Sequence, residues 1–196
     1  MGIFLTSGTI SGPKGVCHSS KNLVQNAAVF NKQNKINKAR FYHVFPMSYM
    51  AGFLNSIISP IICGGTIIFD KQFSIYFAIN FSKIIKNRNI DYLWLNPTMI
   101  NIINNFQKKR VRLNSKLKIF VGTAPLNLKD KNDFYKKFHI SLKESYGMTE
   151  ILIFSSQINN KREQYSNVGS LLSGCKIFKN KERQLIVSSK FTNRYF

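Results

Sequence analysis

The chain is poor in acid. Its 196 residues hold 8 Asp and Glu against 29 Lys and Arg, a formal net charge of +21. Cysteine is scarce too: Cys17, Cys63 and Cys175 stand far apart and form no CxxC pair. That spacing argues against a clustered zinc site or a disulfide framework and fits a reduced, cytoplasmic protein. Long apolar runs are missing. The most membrane-like stretch, residues 53–69, is interrupted by Asn55, Pro60, Gly64 and Gly65 and stops at Asp70. It is too short and too broken for a span and reads better as a buried helix followed by a buried strand. The first residues show neither a charged n-region nor a cleavage pattern, so no signal peptide is expected. Internal repeats and low-complexity tracts are absent as well.

Also missing is a basic block. A charge of +21 invites a polyanionic partner. The lysines, however, are scattered singly and in pairs among abundant Asn, Ile and Phe. A solvated basic surface follows, and no specific nucleic-acid binding is expected. The cluster Lys108-Lys109-Arg110 with Arg112 reads as one such solvated loop. With 44% hydrophobic and 13% aromatic residues, the composition is that of a globular domain with a real core.

What is present is a loop rich in hydroxyls and glycine, Leu5-Thr6-Ser7-Gly8-Thr9-Ile10-Ser11-Gly12-Pro13-Lys14-Gly15. An apolar run, residues 3–5, precedes it, and helical apolar spacing at Leu23, Ala27 and Phe30 follows. The expectation is a strand, then the loop, then a helix. Such a loop can turn several backbone N–H groups toward one point. Thr6, Ser7, Thr9 and Ser11 add hydroxyls, and Lys14 adds a full positive charge, as a polyphosphate cradle requires. It is not a Walker A loop: Pro13 precedes the lysine and Gly15 follows it. By composition alone, an ordinary surface loop accounts for it equally well.

The string Thr6-Ser7-Gly8-Thr9, then Pro13-Lys14-Gly15, resembles the phosphate-loop signature of the acyl-adenylate-forming superfamily, T-S-G-T-T/S-G-x-P-K-G. That superfamily includes acyl-CoA synthetases, amino-acid adenylation domains and luciferases. Ile10 stands where Thr or Ser is usual, Ser11 where Gly is usual, and Gly12 in the variable place. Three further stretches carry the likeness. Pro46-Met47-Ser48-Tyr49-Met50-Ala51-Gly52 resembles P-x-x-H-x-x-G, with Tyr49 at the His position. Gly122-Thr123-Ala124-Pro125-Leu126 resembles G-G-A-P-L, with Thr123 replacing the second Gly. Tyr146-Gly147-Met148-Thr149-Glu150 matches Y-G-x-T-E without departure. Residues 168–174 resemble V-G-x-P-x-P-G with both prolines missing.

The resemblance implies a role for each motif. Thr6, Ser7, Gly8, Thr9, Ser11, Gly12 and Lys14 would hold the phosphates of ATP. Gly122, Thr123, Ala124 and Pro125 would border the adenine. Tyr146 would stack on it, with Gly147, Met148 and Thr149 beside the nucleotide. Tyr49 and Gly52 would line the acyl tunnel. Glu150 would hold Mg²⁺, and Lys14, Thr149 and Glu150 would act in catalysis. An aromatic face for a base, a hydroxyl for an oxyanion and a hard carboxylate for a hard cation are chemically sound. The implied reaction joins a fatty or other organic acid to the α-phosphorus of ATP, and CoA then takes the acyl group.

The rest reads as alternating strands and helices. Ser19 or Ser20 can cap a helix to about Gln33, with Val24 and Ala28 widening its apolar face. Residues 41–45, 66–69, 91–95, 117–121, 140–142 and 184–187 read as strands. Ser74 can cap a helix carrying Phe77, Phe81 and Ile84. Asn96 with Pro97 opens another with Met99, Ile103 and Phe106 as its stripe, and Asn127 a third with Phe134 and Phe138. That order implies an α/β fold with a mixed, mostly parallel sheet covered by helices. The likeness implies part of the large N-terminal domain of an adenylate-forming ligase: residues 1–196 as an AMP-binding domain fragment, with no small C-terminal domain. Two alternatives stay open, a non-catalytic nucleotide-binding remnant and part of an amino-acid adenylation domain. His18, His43 and His139 have structural or surface roles by default.

Overall fold

The computed structural model describes residues 2–6, 14–158 and 167–192. A hairpin comes first: β1 (Gly2–Thr6) pairs antiparallel with β2 (Lys14–His18), and Thr6 sits opposite Lys14. The expected passage from loop straight into helix is therefore corrected. A strand intervenes, and Lys14 lies on it. Ser19 then caps α1 (Ser20–Gln33), its hydroxyl accepting from the Asn22 N–H at 3.1 Å. Val24 lies outside the apolar face of α1, exposed to solvent.

The main body is a seven-stranded sheet of order β4-β3-β5-β6-β7-β8-β9. Its strands are β3 (Arg40–His43), β4 (Thr66–Phe69), β5 (Tyr92–Leu95), β6 (Lys118–Val121), β7 (Leu142–Met148), β8 (Leu152–Ser156) and β9 (Ser170–Leu171). The first five run parallel; β8 and β9 are antiparallel additions. The mixed, mostly parallel sheet read from the sequence is thus the observed one. β4 is an edge strand and only half-buried, which corrects the expectation of a buried strand there. A second hairpin, β10 (Cys175–Lys179) with β11 (Leu185–Ser189), follows the sheet.

Helices cover both faces. On one lie α1 and the helical stretch 50–62, built from α2 (Met50–Phe53), a π turn (Leu54–Ile58) and α3 (Ser59–Ile62). On the other lie α4 (Ile75–Ile79), α5 (Phe81–Asn87), α6 (Pro97–Phe106) and α7 (Leu128–Phe138). The single helix expected after Ser74 is two, broken at Asn80. Ser74, Asn96 and Asn127 each cap through the side chain, as their positions predict. Alternation along the strands divides the aromatics between the layers. Phe30 of α1 packs on Trp94 and Phe120, with ring centroids 5.3 and 5.0 Å apart. On the far face Phe81 meets Phe134 and Phe138 at 5.7 and 5.0 Å. Phe106, expected in the core stripe of α6, is 44% exposed; Ile100 and Ile103 fill that role. Among the described residues no helix is long and apolar enough to cross a membrane.

Candidate active site

Parallel sheets gather loops at the carboxyl ends of their strands, the usual place for a ligand crevice. Here that end holds a cavity of about 170 Å³. Phe45 reaches it just after β3, Trp94 and Leu95 from the end of β5, and Gly122 and Thr123 just after β6. The end of β7 and the start of β8 supply Ser145, Gly147, Met148, Thr149, Leu152 and Ile153. Tyr49, Met50 and Ala51, with Leu54 and Asn55 of the π turn, close the remaining side. Three stretches singled out in the sequence, far apart in the chain, therefore share one wall.

The motif 146–150 is a strand end and a turn. Met148, Thr149, Glu150 and Ile151 form the reversal between β7 and β8, closed by the Ile151 N–H on the Met148 carbonyl at 3.2 Å. A bulge falls between Tyr146 and Gly147. At Gly147 a Cβ would lie 2.5 Å from the Leu152 carbonyl oxygen, so only glycine lets β8 approach this closely. Tyr146 lies outside the cavity wall and is 43% exposed, its ring edge-on to Phe154 at 6.4 Å. An exposed aromatic face suits stacking.

Thr123 takes φ +76°, a left-handed conformation that glycine adopts freely and a β-branched residue only under strain. The resemblance puts glycine there, so the backbone shape persists at the expense of strain. Ala124 and Pro125 follow in the same turn, but neither lines the cavity. Gly52 is buried, and a Cβ on it would collide with the Pro46 carbonyl oxygen. Its place is close backbone packing, and it is not among the residues that line this cavity.

Of the phosphate-loop residues, Thr6 and Lys14 are described, cross-strand partners at the loop end of the first hairpin. Ser7, Gly8, Thr9, Ser11 and Gly12 lie outside the described residues. The hairpin is seated by Phe4, whose ring lies 5.7 Å from that of Phe53 and 6.4 Å from that of His18. His18 is fully buried, and its Nε2 contacts the Thr149 carbonyl at 2.6 Å. Since a carbonyl only accepts, Nε2 carries the proton. Burial holds the imidazole below its usual pKa, opposed by that hydrogen bond and by the Glu150 carboxylate. Nδ1 is buried without a hydrogen-bond partner among the described residues. This tie between the lysine-bearing strand and the Thr149–Glu150 turn has no local sequence signature. The buried pair Lys131–Glu144, at 2.8 Å, anchors β7 from α7 on the opposite face.

Glu150 is half-exposed, and among the described residues no cluster of three or more His, Cys, Asp or Glu could hold a metal. One carboxylate at the rim fits Mg²⁺ in the manner that ion prefers, with most of its ligands from phosphate and water.

Known proteins share this architecture. The family model described as AMP-binding enzyme matches residues 1–185. Sulfoacetate–CoA ligase of Cupriavidus necator is 25% identical over 170 residues, 85% of this chain and 33% of that protein. Among solved structures, o-succinylbenzoate coenzyme A synthetase (MenE) of Bacillus subtilis, in complex with ATP and magnesium ion, superposes with a TM-score of 0.82. It is 20% identical and aligns with 97% of this chain and 41% of its own. ATP-bound MatB of Rhodopseudomonas palustris gives a TM-score of 0.80 at 18% identity, over 97% of this chain and 39% of that one. The chain spans about a third of the length of the curated relatives it matches. On fold, motifs and family match together, the chain belongs to the AMP-binding enzyme family, within the adenylate-forming superfamily.

Proposed function

We propose that this chain handles ATP and a carboxylic acid in the first half-reaction of an acyl-adenylate-forming ligase, with CoA receiving the acyl group afterwards. The observation that carries this reading is the shared wall: Tyr49, Gly122, Thr123, Gly147, Met148 and Thr149 meet around one cavity at the carboxyl end of the sheet. In that reaction a carboxylate oxygen bonds to the α-phosphorus, the bond from that phosphorus to the bridging oxygen breaks, and pyrophosphate leaves. Little of this is covalent work for the protein; positioning and charge compensation dominate. Lys14 would compensate charge on the phosphates, with Thr6 and the loop hydroxyls as donors. Thr149 would donate toward the α-phosphate. Tyr146 would stack on the adenine, and Gly122 to Pro125 would border it. Glu150 would hold Mg²⁺, whose charge neutralises phosphate oxygens when bound. The side of the same cavity bounded by Tyr49 would take the acid. The Cupriavidus relative is named as a CoA ligase too.

The test is exchange of labelled pyrophosphate into ATP across a panel of acids. Exchange that needs acid, Mg²⁺ and Lys14 is the expected result. Exchange with no acid dependence, or an undiminished rate in Lys14→Ala, overturns the reading.

A further inference from the structure

A second cavity, of about 330 Å³, opens at the amino end of the parallel strands. Asp91 and Tyr92 border it at the start of β5, and Lys116 and Lys118 at the start of β6. Lys35 and Lys38, from the turn that leads out of α1, close another side. Strand β5 runs from this cavity to the first: Tyr92 borders the one and Leu95 the other. The two are separate sites at opposite ends of the sheet.

Four lysines and one acid, Asp91, give this cavity a surplus of three positive charges. Among the described residues no carboxylate lies within ion-pair distance of any of the four. Asp91 is itself engaged, its Oδ2 accepting from the Arg40 N–H at 2.9 Å. Helix polarity accounts for one lysine. The carboxyl end of α1 lies here, and Lys118 Nζ donates to the carbonyl of its capping residue Asn34 at 2.9 Å. A helix terminus presents only about half a charge, so one cation meets that need. Lys35, Lys38 and Lys116 remain as surplus. The like charges feel one another: burial, then the charge of Lys35, holds the Lys118 ammonium below its usual pKa. The backbone keeps them gathered. Ile36 N–H donates to the Asn31 carbonyl and Lys38 N–H to the Cys63 carbonyl, both at 2.9 Å. Lys116 N–H donates to Asn114 Oδ1 at 3.0 Å.

A concave group of uncompensated ammonium ions is complementary to an anion, and lysine meets phosphate as a point charge. A single phosphate would leave part of the surplus unmatched. The volume, about 330 Å³, is at the lower end for small-molecule sites. A bound base has no platform here. Tyr92 is the sole aromatic on the wall and is only 5% exposed, so it offers no face for the stacking that single-stranded nucleic acid uses.

We propose that this cleft at the amino end of the sheet binds a small molecule carrying a diphosphate group, held by Lys35, Lys38, Lys116 and Lys118. The inference is independent of the ATP site assigned at the other end.

Pyrophosphate is the probe, titrated by calorimetry at ~0.15 M salt, where diffuse surface charge is screened beyond about 8 Å. The background is Lys14→Ala, so that the proposed ATP site contributes no lysine. Saturable binding is expected, tighter than that of inorganic phosphate. Adding Lys35→Gln and Lys116→Gln should weaken it at least tenfold, as loss of two charged contacts implies. Adding Lys108→Gln and Lys109→Gln removes the same charge elsewhere and should leave it unchanged. In the wild-type chain, pyrophosphate should shield Lys35 and Lys116 from acetic anhydride, read by mass spectrometry, and should not shield Lys108 or Lys109. That measurement decides the matter even where a variant fails to fold. No saturable binding, equal affinity for phosphate and pyrophosphate, equal weakening by both charge-matched pairs, or shielding of all four lysines alike overturns the proposal. A thymidine oligonucleotide that binds more tightly than pyrophosphate and shields Lys35 and Lys116 would replace the small molecule with a nucleic acid and overturn it as well.

Discussion

His18 and Thr149 are 131 residues apart, yet the imidazole Nε2 of the fully buried histidine reaches the threonine carbonyl at 2.6 Å. The bond ties the strand bearing Lys14 to the turn bearing Glu150. His18→Leu should strand a carbonyl and cost about 1–3 kcal/mol in stability. It should also weaken ATP·Mg²⁺ binding, because the two halves of the nucleotide site lose register. His18→Gln, whose terminal amide can donate from a similar position, should restore both. Denaturant unfolding and ATP titration on the three proteins check this. Recovery of stability but not affinity in His18→Gln would show that the bond is structural only.

Thr123 holds a left-handed φ of +76° at the cavity wall. Replacing it with glycine should relieve strain on the order of 1 kcal/mol. A higher denaturation midpoint in Thr123→Gly is the expected outcome; a lower one would mean that the threonine side chain contributes more than its backbone costs.

Gly52 packs beneath the Pro46 carbonyl, where a Cβ would find no room. Gly52→Ala should lower stability by about 1–3 kcal/mol through overpacking. Acid affinity of the folded fraction should not change. A shift in affinity at unchanged stability would return Gly52 to the binding wall.

Lys143 is buried in β7 with its ammonium on the Ile158 carbonyl at 2.5 Å, and burial, then nearby Lys118, pushes its pKa down to about 8. The unfolded chain holds that proton up to about pH 10. Between pH 8 and 10 the unfolded state therefore binds more protons, and stability from this group rises with pH. Lys143→Met should gain on the order of 2–3 kcal/mol at pH 7 and lose its advantage by pH 10. Unfolding curves of both proteins at pH 7, 8.5 and 10 test the sign. An advantage that grows with pH would contradict the assignment.

Much of the scaffold was legible before any coordinates. Caps announce themselves locally, as at Ser19, Asn96 and Asn127, because a short polar side chain competes for nearby backbone N–H groups. That the sheet is mostly parallel and covered by helices follows from the alternation of strands and helices along the chain. What stayed hidden depends on distant partners. The strand at 14–18 forms because β1 pairs with it, and no local pattern marks that. Phe106 fits the apolar period of α6 but falls at its last turn, beyond the covering layer. His18 has its partner 131 residues away, on a backbone carbonyl that any residue could supply. Asn55 was visible only as an interruption in an apolar run; its buried place on the cavity wall emerges only when the π turn packs against β5.

The central claim is that Lys14 and the 146–150 turn form one ATP site. Titration calorimetry of ATP·Mg²⁺ into the wild-type chain, Lys14→Ala and Glu150→Gln tests it most directly. The account predicts saturable binding, weakened about tenfold to a hundredfold by Lys14→Ala, as loss of a hydrogen bond to charged phosphate implies. It predicts that Glu150→Gln removes the gain in affinity that Mg²⁺ gives the wild type. Equal affinity in all three proteins, or no binding of ATP to the wild-type chain, would contradict it.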